Sequence, residues 1–362
     1  MRKRFGFVSA ILGLALLTAC GDAGGTDTTT AQTETSQTSG GTDTTTAQTG
    51  SSETTAGGGE LEKTEITVVW DAPEFDSVTD AKWVQLLGEA GVTVETVEFD
   101  AAPDAVRAMA SGDADILNTS PLPIMQFIQE SGGGLEVITA ELLNTDYVLL
   151  TTPDVTSIDD LAGKQIGISE PGDISDTLTR LVLENAGFDL GSVEIVQIGG
   201  TSQRIAALTA GEIAAGAAHA ADGLAAVEAA GLTALVQYWD YIDSYAQRYM
   251  VVTPEWSVEN PNLAQLVVDS LIEANRWAAE NKEEYIALSQ EVVAEIPDEI
   301  RNSVYDFFIE ANFFGVNGGL ESIQATVDVE RSLGNLTEDL PDQSEWVNSS
   351  FVESYLERNG EQ

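Results

Sequence analysis

Ala108-Met109-Ala110-Ser111-Gly112-Asp113-Ala114-Asp115-Ile116-Leu117 and, 99 residues later, Ala207-Leu208-Thr209-Ala210-Gly211-Glu212-Ile213-Ala214-Ala215 are one signature written twice. Each is the end of a helix, a glycine suited to the left-handed position that closes it, an acidic residue, and the start of a short strand. Outward from the first copy lie the apolar strand Ile66-Thr67-Val68-Val69-Trp70 and an amphipathic helix carrying Trp83, Val84, Leu86 and Leu87 that ends at Glu89-Ala90-Gly91. A second strand follows over 94–99. The second copy repeats the order: a strand over 165–169, a helix with Leu178, Leu181 and Val182 ending at Asn185-Ala186-Gly187, and a strand over 193–198. Gly91 and Gly187 are 96 residues apart, Glu95 and Glu194 are 99 apart. Near-equal offsets across five elements mark a duplicated unit. Strands alternating with helices predict parallel pairing and an α/β sheet in each copy, hence two lobes with a cleft between them.

Beyond the second copy, Leu235-Val236-Gln237-Tyr238-Trp239 and Arg248-Tyr249-Met250-Val251-Val252-Thr253-Pro254 lead into a helical remainder. Helices are expected over 262–281, from Pro297 onward, over 320–333 and over 345–358.

Composition narrows the function. The 362 residues carry 60 acidic and 15 basic side chains, a formal charge of −45, which repels a phosphate backbone and excludes nucleic acid as a partner. One Cys and one His leave no disulfide framework and no Cys-cluster or multi-His metal centre. No cofactor or metal is expected. An acidic surface with few lysines suits molar salt, where screening over a few ångströms removes self-repulsion. The melting temperature should therefore rise on going from low to molar salt; a flat response would count against a halophilic protein.

The first residues read as a leader. Arg2, Lys3 and Arg4 precede an apolar run over 5–19, too short for a membrane-spanning helix and suited to a signal peptide over 1–19. Leu17-Thr18-Ala19-Cys20-Gly21 resembles a bacterial lipobox, which implies cleavage before Cys20 and lipidation of its thiol. The segment 20–60 is then a lipidated Cys followed by a Thr/Gly-rich tether, too poor in apolar residues to order itself, with the nonamer Gly-Thr-Asp-Thr-Thr-Thr-Ala-Gln-Thr at Gly25 and again at Gly41.

Asp159-Asp160-Leu161-Ala162-Gly163-Lys164-Gln165-Ile166-Gly167-Ile168, taken with the two glycine–acid signatures, resembles the type II solute-binding proteins of ABC importers, in the branch that takes nitrate, sulfonates, taurine and thiamine-pyrimidine precursors. The resemblance covers roughly residues 64–335. It implies an α/β, two-lobe type II periplasmic-binding-protein fold with two crossover strands and a C-terminal helical block. Lobe 1 would be 61–150 plus 251–362, lobe 2 would be 151–250, and the crossovers would lie near 147–152 and 248–253. It further implies capture of a small-molecule solute by hinge closure, an ABC permease and ATPase as membrane partners, a monomer, and an extracytoplasmic location on the membrane.

Ligands of open α/β sheets bind beyond the carboxyl ends of strands, and this rule selects the candidate site. Trp70 and Asp71 end the first strand; Trp70 either stacks on a flat or cationic ligand or faces the core. Asn118, Thr119 and Ser120 precede Pro121, where Ser120 either touches ligand or caps a helix. Glu170, Gly172, Asp173, Ile174 and Ser175 open the next helix in lobe 2, at the family's usual anchor for the solute's polar head; two carboxylates there disfavour an anion. His219 and Asp222 follow the alanine strand, with His219 either packed or facing the cleft. Trp239, before the second crossover, either walls the pocket or joins the core, and Tyr147 lies on the first crossover. Of the arginines near these elements, Arg107 and Arg204 are expected on solvated helix faces, leaving Arg180 and Arg248. A pocket richer in aromatics and carboxylates than in cations tilts the solute toward a neutral, zwitterionic or amine-bearing compound within the sulfonate/taurine-like and pyrimidine-like classes, with a betaine-like osmolyte as the alternative. No nucleophile elbow, phosphate loop or dinucleotide fingerprint is present, so no enzyme and no catalytic residue is expected. A surface adhesin would keep the anchor and need no polar cleft.

Overall fold

The computed structural model describes residues 59–71, 75–99, 102–242 and 244–360. The leader, Cys20 and most of the tether lie outside these residues.

The first sheet is built from β1 (Glu65–Asp71), β2 (Thr93–Phe99), β3 (Ile116–Thr119) and β4 (Glu136–Glu141), joined by β10 (Arg248–Val252), in the order β2-β1-β3-β10-β4. The second holds β5 (Tyr147–Thr151), β6 (Gln165–Ile168), β7 (Glu194–Gln197), β8 (Ala215–His219) and β9 (Thr233–Gln237), in the order β7-β6-β8-β5-β9. The two orders are one pattern, as the repeat requires. Pairing is mixed rather than parallel throughout. The three strands of each repeat unit pair in parallel, but β10 runs antiparallel to β3 and β4, and β5 antiparallel to β8 and β9. The reason is connectivity: β5 and β10 arrive from the other sheet, so each enters from the opposite end. They are the two crossovers, and their approaches are stitched together, Tyr245 N–H donating to Leu143 O and Gln247 N–H to Leu142 O.

Helices α1 (Val78–Glu89), α2 (Ala102–Ala110) and α3 (Pro121–Ser131) belong to the first sheet; α4 (Ile174–Asn185), α5 (Thr201–Ala210) and α6 (Ala220–Ala230) to the second. Gly132, Gly211 and Gly231 close α3, α5 and α6 in the left-handed conformation, at Gly211 as read from the sequence. The remainder is α7 (Pro254–Glu259), α8 (Pro261–Glu280), α9 (Lys282–Val292), α10 (Asp298–Glu310), α11 (Leu320–Ser332) and α12 (Ser350–Asn359). These helices do not all pack on one lobe. Helix α8 lies on α1, where Trp83 Nε1 donates to Val267 O at 3.1 Å, and α12 packs on α8. Helix α10 also reaches α6 of the second lobe, and Phe307 stacks on Trp239 with ring centroids 3.8 Å apart.

Three apolar clusters result. One wraps the first sheet around Val68, Leu117, Val137 and Met250; one lies beneath the second around Leu149, Ile166, Leu178 and Tyr238; a third, aromatic, joins Phe75, Tyr285, Phe308 and Phe313 to Val148 and Ala221. Strand β8 is almost all alanine and glycine, so helices approach it closely. That corrects the expectation for Arg204. It is buried against this strand, with Nε donating to Ala217 O at 2.6 Å, a terminal nitrogen to Thr201 Oγ1 at 3.1 Å, and another to Gly199 O. Arg107 is exposed and paired with Asp104 on its own helix, as expected.

Candidate ligand-binding site

The carboxyl ends of the two sheets face each other. Ser120, at the N-cap of α3, makes no capping bond; its hydroxyl crosses to the other lobe and donates to Asp173 Oδ1 at 3.3 Å. Asp173 caps α4 by accepting from Ile174 N–H at 2.8 Å and takes a bond from Ser169 Oγ on its other oxygen. Gly172 has φ +80°, a left-handed turn that favours glycine, with Leu122 of lobe 1 nearby. Its N–H donates to Asp176 Oδ2 at 3.0 Å, and Asp176 also holds Arg180 at 2.7 Å. Burial raises the Glu170 carboxyl above its ordinary range, helped by Asp173 and by Asp104 across the gap, against the pull of Arg107. The rim thus carries Glu170 and Asp173 on one lobe, while Asp104 on the other is paired with Arg107.

The floor of the site is a buried polar network at the crossovers. Strand pairing sets Glu141 beside Arg248, and Trp70 beside Asn118. Asn118 Nδ2 donates to Glu141 Oε1 at 2.7 Å and to Asp80 Oδ1 at 3.0 Å. The Arg248 guanidinium reaches Asp80 Oδ2 at 2.7 Å, Asp76 Oδ1 at 3.1 Å and Ser77 Oγ at 3.3 Å, tying β10 to the start of α1. From the second lobe, His219 Nδ1 meets Asp146 Oδ1 at 2.9 Å, and its ring lies tilted at 44° against Tyr147, centroids 4.3 Å apart. Gln247 also donates to Asp146 at 3.3 Å. Oxygen and nitrogen atoms of Asp76, Asp146 and His219 lie within 4.8 Å of one another. Burial pushes Glu141 up, although Arg248 and the Asn118 bond oppose it. Burial would also raise Asp146, but the charge and hydrogen bond of His219, with bonds from Gln247 and the Ala220 N–H, hold it below its ordinary value. Four polar atoms in this region are buried without a hydrogen-bond partner among the described residues: Asn118 Oδ1, Glu141 Oε2, Asp146 Oδ2 and Trp70 Nε1. An unmet buried polar atom costs about 1–3 kcal/mol, so they set what a ligand can gain here.

The residues chosen from sequence divide accordingly. Trp70, Asn118, Ser120, Glu170, Gly172 and Asp173 stand at the facing ends of the sheets. Thr119 is buried beside them, paired in register with Tyr249. Ile174 is half-buried on the apolar side of α4, and Ser175 is fully buried, its Oγ accepting from Ser169 N–H at 2.8 Å, which closes the β6–α4 turn. Tyr147 is buried under His219. Asp222 is half-buried in the first turn of α6. Trp239 packs on α10. The Asp71 side chain lies outside the described residues. Asp76, Asp80, Glu141 and Asp146 were not anticipated. Their signal was position: Asp146 directly precedes the first crossover strand, as Arg248 opens the second.

A hinge residue offers a separate test. Tyr245 Oη donates to Glu330 Oε1 at 2.5 Å, and Asn335 to Oε2 at 2.8 Å. Burial pushes Glu330 up to about 7, from 4.5. The folded chain thus binds more protons than the unfolded one between those values. Stability is full below about pH 4.5 and falls by about 3 kcal/mol as pH rises through 7. Glu330→Gln should flatten that decline in melts run from pH 4 to 8; an unchanged slope would refute the assignment.

Comparison with known proteins agrees with this geometry. The family described as NMT1/THI5 like matches residues 87–285. The taurine-binding periplasmic protein of Escherichia coli (strain K12) is 35% identical over 115 residues, 30% of this chain. The match spans 34% of that relative's length. The periplasmic nitrate-binding protein NrtA of Synechocystis PCC 6803 superposes with a TM-score of 0.69 at 13% identity, covering 83% of this chain and 90% of that one. The aliphatic sulphonate-binding protein SsuA of Escherichia coli does so with 0.62 at 19% identity, covering 80% and 93%. These superpositions show a shared fold.

Proposed function

Because the chain belongs to the NMT1/THI5-like family, we propose that it is the solute-binding component of an ABC import system. It holds a small organic solute between its lobes, without chemistry on it, and presents it to a membrane permease. The observation that carries this reading is the pair of like-ordered sheets whose carboxyl-end loops meet at Ser120 and Asp173, joined by two adjacent crossovers. Such a joint lets the lobes part and close as units, with the few residues around 142–147 and 245–248 taking up the rotation. The lipobox-like Cys20 supports a lipid anchor, and the polar tether would let the lobes reach the permease from the outer face of the membrane.

The sulfonate-, taurine- and nitrate-binding proteins this chain is similar to suggest the panel to try, together with pyrimidine-like and amine-bearing solutes. The purified protein should carry or accept one such compound, seen as a mass shift in native mass spectrometry and as a ligand-dependent rise in melting temperature. Trp70→Ala and Ser120→Ala should each weaken binding about tenfold, near 1.4 kcal/mol, while leaving the circular dichroism of the free protein unchanged. Unaltered affinity in both would remove this map of the pocket, and a protein indifferent to every solute would favour the adhesin reading.

A further inference from the structure

We propose that the solute this protein captures is a cation bearing N–H donors, of the ammonium, amidinium or guanidinium type, rather than a sulfonate or other anion. The inference rests on the solute-binding reading above and adds to it the charge and polarity of the ligand. The hydrogen bonds left open at the site are unequal in kind. Asn118 Oδ1 and Asp146 Oδ2 are acceptors, on side chains no more than 1% exposed; Glu141 Oε2 belongs to a carboxyl that burial pushes toward its protonated form, and Trp70 Nε1 is a donor. A ligand rich in N–H groups meets the two acceptors, while an anion meets the one donor. Asn118 and Glu141 form one pole of the network and Asp146 the other, with Arg248 and Asp76 between them.

Charge points the same way. The network holds four carboxyl groups, Asp76, Asp80, Glu141 and Asp146, against the Arg248 guanidinium and the His219 imidazole. Arg248 is already engaged by two of these carboxylates, so its fork is not directed at an incoming anion. The rim adds Glu170 and Asp173 on one lobe, where Arg180 is taken up by Asp176, while Asp104 and Arg107 pair with each other on the other lobe. A negative potential from rim to floor concentrates cations and repels anions of equal size. Asp76, Asp146 and His219 are also close enough to grip a metal ion. The Arg248 contact on Asp76 and the Gln247 amide on Asp146 already place positive ends on those carboxylates, which favours an organic cation.

The test uses the full chain in molar salt, stripped of solute, with melting temperature and calorimetry as readouts. Probes come in matched pairs: propylammonium and benzamidine against propanesulfonate and benzoate, with tetramethylammonium as a cation lacking N–H and zinc chloride as the metal alone. The N–H cations should raise the melting temperature, with tetramethylammonium and the anions at least tenfold weaker. Glu141→Gln, which keeps an oxygen for Asn118, and Asp146→Asn should each lower cation affinity at least tenfold; circular dichroism identifies any variant that fails to fold, and the other then decides. Tighter binding of propanesulfonate or benzoate, an anionic solute co-purifying in native mass spectrometry, tetramethylammonium equal to propylammonium, or a response to zinc only would each overturn the cation assignment and leave the solute-binding reading standing. Silence from every compound, including the sulfonate and pyrimidine panel, would end both.

Discussion

Replacing Arg248 by alanine is expected to lower the unfolding free energy by about 3–5 kcal/mol, the range for removing one partner of a buried ion pair. Its guanidinium bonds Asp80 at 2.7 Å and Asp76 at 3.1 Å, and its strand position faces Glu141. Without it, neighbouring carboxylates share a water-poor site with no guanidinium. Two unit charges 4 Å apart interact by about 4 kcal/mol at an effective dielectric of 20. Most of the loss is therefore repulsion and lost solvation, not lost attraction. That makes a second result compulsory. The variant Arg248→Met with Asp76→Asn and Asp80→Asn, which removes both signs together, should recover at least half of the lost stability. Arg248→Lys should fall between, because an ammonium cannot serve two carboxylates as a planar fork does. Urea unfolding of the four proteins measures this; an Arg248→Ala protein within 1 kcal/mol of the parent would show the network to be loosely held.

What the sequence disclosed and what it withheld follow from distance along the chain. Gly91, Gly112, Gly187 and Gly211 have φ of 89°, 79°, 76° and 71°, so the repeated glycines do end helices as their spacing implies, a local effect needing no knowledge of the fold. Helix α8 and the entry to α10 after Pro297 were likewise carried by periodicity and a proline. The antiparallel insertion of β5 and β10 was not local; it depends on which sheet each strand enters. The site divides along the same line. Ser120 and Asp173 could be chosen because each follows a strand, but their meeting across the gap could not. Asp76 and Asp80 sit one turn apart, but Glu141 and Asp146 come from two other segments, and only the crossover geometry makes all four neighbours of Arg248 and His219. Asp76 is the least legible, since it sits in a single helical turn beyond β1 whose burial comes from Phe75 and Tyr285 packing around it.

Arg204 carries the other large effect, and its misreading explains why. A helix position next to an acidic surface suggested solvent, but the side chain lies on a strand of alanines and glycine that leaves room for it. Its contacts are the Ala217 and Gly199 carbonyls and the Thr201 hydroxyl, with no carboxylate among them. Arg204→Ala would leave two backbone acceptors in the second lobe without that donor and open a cavity the strand's methyl groups cannot fill. At about 1–3 kcal/mol for each unmet acceptor, the expected loss is about 2–6 kcal/mol. Arg204→Met fills the volume but not the bonds and should recover only the cavity part, about 1 kcal/mol. The consequence extends to the site, because Ala217 is two residues before His219 on the same strand. Slackening of β8 moves the imidazole that holds Asp146, so both variants should also bind the solute less tightly than their remaining stability would predict. Denaturant midpoints and solute affinity measured side by side decide it: a loss below 0.5 kcal/mol would place Arg204 in solvent after all, and full affinity in a destabilised variant would uncouple the strand from the site.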